Sequence, residues 1–376
     1  MAGIYIHIPF CKQKCHYCDF YKSTNIKLKN LFIQALKKEL EQRVDYLEEA
    51  TIKTIYFGGG TPSILSISEV QEILIHIANL FTIDSQAEIT FEANPDDLTK
   101  TYLTELKKLG INRLSMGIQS FDDDILKLLN RRHNANQAIE ALKNVYKAGI
   151  TNISADLIYG IPTTSQQHLK SYLKKIAQLP VNHLSAYHLT YHENTVFYNW
   201  LKKGTLHELS EEESVHQYKI LIEEVEKTGF EQYEISNFAK NEQYSQHNVG
   251  YWRGTSYLGV GASAHSYDGH SRQWNIANVK EYIKQVENKE VYFERETLSK
   301  SNRFNEYIIT NIRTKWGISL RYIQQEFGNN TLKSIEKYLK NLSTHQLGTM
   351  KKDNFILTQK GLFISDKIMA NLMIDE

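Results

Sequence analysis

Three cysteines, Cys11, Cys15 and Cys18, fall within eight residues of one another in the run Ile8-Pro9-Phe10-Cys11-Lys12-Gln13-Lys14-Cys15-His16-Tyr17-Cys18-Asp19-Phe20, and the chain has no others. An odd, clustered set reads as a metal site and not as a disulfide framework. Thiolates are soft ligands that select iron-sulfur clusters, zinc or copper(I), and one short loop can hold three irons of a 4Fe-4S cube. The remaining iron then lacks a protein thiolate and can chelate a substrate. Structural zinc is the alternative, with His7, His16 or a distant histidine as fourth ligand. Such sites usually draw on two separated pairs, and no second pair follows here. Unliganded structural thiols are the third reading.

A loop of this kind needs a scaffold. Short β-branched runs at Ile4-Ile8, Thr54-Phe57, Ala87-Glu92, Arg113-Ile118, Asn152-Leu157 and His183-Leu189 alternate with amphipathic stretches at Leu28-Leu47, Ser68-Leu80, Thr99-Leu109, Asn136-Ala148 and Gln166-Leu179. Strand then helix, repeated about six times, predicts an α/β fold with a parallel sheet and helices outside. Lys107-Lys108-Leu109-Gly110 and Lys147-Ala148-Gly149 place a base and then a glycine where helices should stop. Six units are too few for a closed eight-stranded barrel and allow an open, partial one. In such barrels chemistry gathers at the C-terminal ends of the strands.

Those ends carry polar groups. Gly58-Gly59-Gly60-Thr61-Pro62 follows the second strand, Glu92 closes the third, Gln119 the fourth, and Asp156 lies in the fifth. Taken singly, the glycines can be a tight turn, the carboxylates caps or salt-bridge partners, and Arg131 a solvated basic turn. Taken with the cysteine loop, they point at one shared volume. A zwitterionic amino acid joined to a nucleoside would use them all. Its amine and carboxylate would chelate the iron, Glu92 would meet the ammonium, Arg131 the carboxylate and Asp156 the ribose hydroxyls. That ligand is S-adenosylmethionine, whose radical chemistry belongs to the cofactor while the protein orients and shields it.

The Cys-x3-Cys-x2-Cys loop with Tyr17 before its last cysteine, and the Gly-Gly-Gly-Thr-Pro run, resemble the radical S-adenosylmethionine superfamily. More narrowly, Ile4-Tyr5-Ile6-His7-Ile8-Pro9-Phe10-Cys11, Phe91-Glu92-Ala93-Asn94-Pro95, Gly117-Ile118-Gln119-Ser120-Phe121 and Asp156-Leu157-Ile158-Tyr159-Gly160-Ile161-Pro162 resemble the family of oxygen-independent coproporphyrinogen III oxidases and their relatives, the HemW heme chaperones. The resemblance implies a partial (βα)6 radical SAM barrel. It implies cluster ligands at Cys11, Cys15 and Cys18, and S-adenosylmethionine contacts at Tyr5, Phe20, Gly59, Gly60, Thr61, Glu92, Gln119, Arg131 and Asp156.

Two departures separate the chain from the oxidases. Their pattern has a further cysteine where this chain has Phe20, and only Met1-Ala2-Gly3 precede the first strand where the oxidases carry a substrate-binding arm. In the other direction, His247-Asn248-Val249-Gly250-Tyr251-Trp252 matches the chaperone pattern His-Asn-x-x-Tyr-Trp. Imidazole is a common axial ligand to heme iron, and Tyr251 and Trp252 could cover a porphyrin face. An ordinary loop histidine is the plain alternative; His265 is a second, weaker ligand candidate.

At 376 residues the chain can bury about three quarters of its unfolded surface. With 44 basic and 43 acidic residues and a net charge of +1, it lacks the basic excess that bulk nucleic-acid binding requires. It shows no signal peptide and no long apolar span, and its free thiols suit a reducing cytoplasm; peripheral membrane contact stays open. Residues 1–235 are read as the barrel, with Tyr191 to Leu209 a mere connection, and 236–298 as a connecting segment carrying the heme motif. Residues 299–376 are read as a small α+β, winged-helix-like C-terminal domain, from helical patterns at Asn305-Trp316, Leu320-Phe327 and Lys333-Leu342, a hairpin over Met350 to Leu357 and a last helix at Gly361-Leu372. That tail is expected to be a lid or docking surface, not a nucleic-acid binder. The expected function is a heme chaperone that holds a 4Fe-4S cluster, S-adenosylmethionine and heme and passes heme to respiratory hemoproteins. A coproporphyrinogen III oxidase, decarboxylating propionates by a 5′-deoxyadenosyl radical, is the runner-up, and an RNA-modifying radical enzyme a third reading.

Overall fold

Strand and helix alternate from the start of the chain: β1 (Ala2–Ile8), α1 (Lys29–Gln42), β2 (Ile52–Gly59), α2 (Ile67–Leu80), β3 (Ile83–Ala93), α3 (Lys100–Lys108), β4 (Arg113–Gln119), α4 (Asp123–Leu128), α5 (Ala135–Lys147), β5 (Asn152–Tyr159), α6 (Gln166–Ala177) and β6 (His183–His188). The computed structural model describes residues 2–48 and 50–374; Met1, Glu49, Asp375 and Glu376 lie outside the described residues. After α7 (Val196–Lys202) and α8 (Glu211–Glu226) come β7 (Glu231–Glu234), β8 (Asn237–Ala239), α9 (Gln246–Trp252), β9 (Tyr257–Val260), β10 (His265–Tyr267), β11 (Ser271–Asn275), α10 (Val279–Asn288) and β12 (Phe293–Thr297).

Among the described residues these strands make one twelve-stranded sheet in the order β12-β11-β10-β9-β1-β2-β3-β4-β5-β6-β8-β7. β1 to β6 pair in parallel, each with the next. The segment 236–298 is therefore no bare connection. It supplies β8 beside β6 and a second patch, β9 to β12, beside β1, with β9 parallel to β1. Its strands are three to five residues long, too short for their alternation to stand out in the sequence.

Period-two patterning decides which way each strand faces. Ile4, Ile6 and Ile8 of β1, Ile55 and Phe57 of β2, Leu114, Met116 and Ile118 of β4, and Ile153, Ala155 and Leu157 of β5 are buried in the main apolar core. Full burial of each large apolar side chain contributes roughly 1.5–3 kcal/mol. The intervening residues, Tyr5 and His7, Thr54 and Tyr56, Glu88 and Glu92, Arg113 and Ser115, Ser154 and Asp156, are polar and bond one another in the barrel's interior, except Thr54 and Ser154, which bond His247 and His183. Capping boxes start the helices, Ser66 with Glu69 on α2 and Asn134 with Gln137 on α5. Gly110 and Gly149 follow α3 and α5 at φ 91° and 85°, where a left-handed turn ends a helix.

The C-terminal unit runs α11 (Lys300–Asn311), β13 (Ile318–Ser319), α12 (Leu320–Phe327), α13 (Asn329–Thr344), β14 (Gly348–Lys351) and β15 (Asn354–Leu357), then α14 (Gln359–Leu362) and α15 (Ser365–Leu372). Helix, strand, two helices and a hairpin is the order of a winged helix. It has its own core, including Phe304, Ile308, Leu339, Phe355 and Ile368. No helix among the described residues is long and apolar enough to cross a membrane.

Candidate functional site

At the C-terminal ends of the parallel strands lies a cavity of about 1020 Å³. Cys11, Cys15 and Cys18 line it, together with Phe20, Gly59, Gly60, Thr61, Glu92, Gln119, Arg131 and Asp156. Residues more than a hundred positions apart are thus brought to one volume by strand order alone. Phe20 projects there with 66% of its surface exposed. Tyr5 is the exception among the expected S-adenosylmethionine contacts. It does not line the cavity but sits deeper in the barrel, its hydroxyl 3.2 Å from His7 Nδ1 and its ring 6.0 Å from Tyr56.

The cysteine loop is anchored from outside. Thr61 Oγ1 donates to Cys11 Sγ at 3.4 Å, and Arg131 Nη1 to Cys15 Sγ at 3.5 Å. α7 packs beneath it: Phe197 N donates to His16 O at 3.1 Å, and Trp200 stands 5.0 Å from the His16 ring. The stretch expected as a mere connection is therefore a support. Burial pushes the Cys11 and Cys18 thiols up, with Lys22 opposing this at Cys18. Both ring nitrogens of His7 are spent, on Tyr5 and the Tyr21 carbonyl, so it offers no fourth ligand to zinc, while His16 Nδ1 lies 2.9 Å from the Leu128 carbonyl. Among the described residues no three His, Cys, Asp or Glu converge on a point that could hold a single ion. A 4Fe-4S cube makes no such demand, because each thiolate takes a different iron.

The glycine run is demanded by packing. A Cβ on Gly59, which has φ 104°, would lie 2.8 Å from the His7 ring, and one on Gly60 would lie 2.9 Å from the carbonyls of Ile8 and Phe10. Glycine lets β2 close against the backbone leading into Cys11, and it leaves the peptide groups of Gly59 and Gly60 on the cavity wall.

Charges in this wall suit a ligand carrying both signs. Burial raises the Glu92 carboxyl to about 7, against a hydrogen bond from Tyr56 at 2.7 Å, and raises Asp156 to about 6, against the Arg113 charge. Two buried carboxylates on one cavity wall, with the Arg113 charge only partly offsetting their burial, suit a cation or hydroxyl donors. Arg131 Nη2 is held by Asn94 Oδ1 at 2.6 Å and Gly117 O at 2.7 Å, while its buried Nε has no partner among the described residues. That orphan donor fits a carboxylate. The donor set therefore suits the cluster and S-adenosylmethionine.

Heme at His247 is a different case. This residue, 3% exposed, lies under the barrel at the N-terminal end of the strands, with Nδ1 2.7 Å from Thr54 Oγ1 and Nε2 2.8 Å from the Tyr251 hydroxyl. Both ring nitrogens are occupied, Tyr251 meets the imidazole edge-on, and Trp252 is covered by the Arg313 guanidinium at 4.8 Å. Burial, helped by Arg113, lowers the imidazole to about 3, which keeps it neutral. The motif as folded does not fit heme iron. His265 is exposed on β10, outside the cavity.

Sequence reading missed the far side of the cavity: Tyr187, Tyr218, Arg313 and Phe363 line it too. Tyr187 was accessible from alternation, two places after Ser185 on β6. Arg313 and Phe363 arrive through docking of the C-terminal unit, which no local pattern announces.

Comparison with known proteins agrees with this geometry. Residues 5–176 match the radical SAM superfamily. The heme chaperone HemW of Bacillus subtilis is 34% identical over 373 residues, covering 98% of this chain and 98% of that one, and that of Lactococcus lactis subsp. lactis is 31% identical over 99% and 97%. The structure of coproporphyrinogen III oxidase (HemN) from Escherichia coli, described as a radical SAM enzyme, shares the fold with a TM-score of 0.86 at 23% identity, over 99% of this chain and 90% of that one. Similarity of this extent to the chaperones, end to end and on a barrel of this order, makes the chain a member of the HemW family within the radical SAM superfamily.

Proposed function

We propose that this protein is a cytoplasmic heme chaperone that binds a 4Fe-4S cluster and S-adenosylmethionine, takes up heme, and delivers it to respiratory-chain hemoproteins. The observation that carries the proposal is the convergence of the three cysteines with Glu92, Arg131 and Asp156 on one cavity, in a chain 34% identical to a HemW over nearly its full length. In this reading Cys11, Cys15 and Cys18 hold the cluster. Gly59, Gly60, Thr61, Gln119 and Phe20 border S-adenosylmethionine, Glu92 takes its ammonium, Arg131 its carboxylate and Asp156 its ribose. Tyr5 supports Tyr56, which orients Glu92. Once bound beside the cluster, S-adenosylmethionine would supply radical chemistry.

Anaerobic reconstitution separates the carrier from its runner-up. With reductant and S-adenosylmethionine present, the protein is expected to take up heme stoichiometrically and pass it to an apo-cytochrome. Catalytic conversion of coproporphyrinogen would instead establish the oxidase and overturn the carrier.

The electrostatics add a pH test. Glu92 attracts an ammonium only when ionised, and its carboxyl is poised at about 7. S-adenosylmethionine affinity should therefore fall as pH drops through that value, approaching about tenfold per pH unit for one linked proton. Glu92→Gln should bind weakly and lose the slope around 7, keeping only what Asp156 contributes near 6. Flat affinity of the parent protein between pH 6 and 8, a window of about one unit either side, would remove Glu92 from the ammonium site.

A further inference from the structure

The cavity exceeds the site so far assigned to it. Its volume of about 1020 Å³ lies at the top of the roughly 300–1,000 Å³ that encloses one drug-sized ligand, and the residues given to S-adenosylmethionine account for only part of its wall. The remainder has aromatic and aliphatic walls from Ile158 and Tyr187 of β5 and β6, Tyr218 of α8, and Leu362 and Phe363 of the C-terminal unit, with Glu211 and Asp366 also among its lining residues. Phe363 stands edge-on to Tyr218 at 5.4 Å, and Tyr187 is 46% exposed. Aromatic and aliphatic walls of this kind receive a flat, largely apolar ring system.

Among the described residues, Arg313 is the arginine on this side of the cavity. Its Nε donates to Glu234 Oε1 at 2.6 Å, and its terminal nitrogens have no hydrogen-bond partner among the described residues. The cavity's other arginine and lysine, Arg131 and Lys22, are at the cysteine loop, where they bond Cys15 Sγ and the Cys18 carbonyl, while burial lowers the His188 imidazole and His192 faces Asp19 at 3.5 Å. An arginine fork with free ends, held by its Nε, is the usual partner of a carboxylate. Glu234, in turn, is fixed by Ser236 N at 3.0 Å and Asn237 Nδ2 at 2.7 Å.

Arg313 also connects the cavity to the His-Asn-x-x-Tyr-Trp helix. Its guanidinium lies over Trp252, while Arg253, next in the chain, lies 4.6 Å over Trp316. These two reciprocal contacts fasten α9 to the turn between α11 and β13 of the C-terminal unit, and His247 pins the other end of α9 to Thr54 and Glu88 beneath the barrel. The motif thus reaches the cavity through an arginine.

Resting on the heme-carrier reading above, we propose that heme lies in the half of the cavity between β6 and the C-terminal unit with a propionate paired to Arg313, that Trp252 is a positioning residue for that arginine, and that His247 is a structural pin and not an iron ligand. An ester cannot make the charged pair, which gives the test. The reconstituted full-length protein is titrated with hemin and with hemin dimethyl ester, followed by heme absorbance. Arg313→Ala should weaken hemin binding about tenfold or more, leave the diester unchanged, and keep the cluster spectrum; Arg313→Lys should recover part of the loss. Should the lone Glu234 carboxylate impair folding, Arg313→Ala with Glu234→Gln gives the same comparison. Trp252→Ala should show the same selective loss in milder form, restored by Trp252→Phe, and His247→Gln should leave the bound-heme bands at their wavelengths. Equal loss of hemin and diester in Arg313→Ala, no loss of either, or shifted bands in His247→Gln would overturn the placement. A parent protein that binds hemin and diester alike would sink the placement alone, whereas one that takes up no heme would sink the carrier reading with it.

Discussion

Cys15→Ala, purified and reconstituted without oxygen, is expected to fold normally and to carry no 4Fe-4S cluster. Cys15 sits half-buried in an irregular loop, outside the apolar cores, so its loss creates no cavity in packed structure. Secondary structure and thermal midpoint of the metal-free protein should match the parent. Cluster loss should nevertheless be complete. Three thiolates hold three irons, and with one gone the cube has two protein bonds and a second unprotected iron open to water. S-adenosylmethionine affinity should drop with it, because chelation at the open iron is lost while Glu92, Asp156 and Arg131 remain. Iron analysis and visible absorbance check the first claim and calorimetry the second. A variant that retains its full iron complement and spectrum would refute the cluster assignment.

The same loop shows what local sequence can and cannot convey. Ligand type and spacing are properties of eight consecutive residues, so Cys11, Cys15 and Cys18 were legible without a fold. Glu92, Gln119 and Asp156 were legible because a parallel sheet sends each strand's C-terminal end to the same side, a rule that needs only strand order. The expected helix Leu320-Phe327 coincides with α12, and β1, β4 and β5 lie within two residues of expectation. The long stretch Leu28-Leu47 is instead three pieces, with 3-10 turns at Ile26–Leu28 and Val44–Leu47 flanking α1. Misreadings cluster where contacts are distant. β9 finds β1 across about 250 residues of chain, and the five residues of β11 say nothing about Glu39 and Arg43, whose side chains bond Asn275 and Gln273. His247 has the composition of a heme ligand, yet its two nitrogens are spent on Thr54 and Tyr251, partners visible only in three dimensions.

Replacing Arg113 should have the largest effect on stability. Arg113 is 1% exposed, and its Nε lies 4.0 Å from Glu88 Oε2 in the polar floor of the barrel. Glu88 in turn receives the backbone N–H groups of Gln246 and His247 at 3.1 and 3.2 Å, and so holds α9 in place. Among the described residues Arg113 is the one cation paired with that carboxylate, since burial followed by the Arg113 charge keeps both His183 and His247 neutral. Removing one partner of a buried pair costs about 3–5 kcal/mol, so Arg113→Met should lower the urea midpoint sharply. Arg113→Met with Glu88→Gln should regain most of the loss, because no buried charge is then unpaired. Loss of the cation has a second consequence. Arg113 opposes the burial that raises Asp156 and Glu92, so without it both carboxyls rise further and S-adenosylmethionine binding sets in at higher pH. Stability and pH onset should therefore part company: the double variant recovers the first and keeps the displaced second. A single variant within about 1 kcal/mol of the parent, well short of a broken buried pair, would show that Glu88 and Arg113 do not act as a pair.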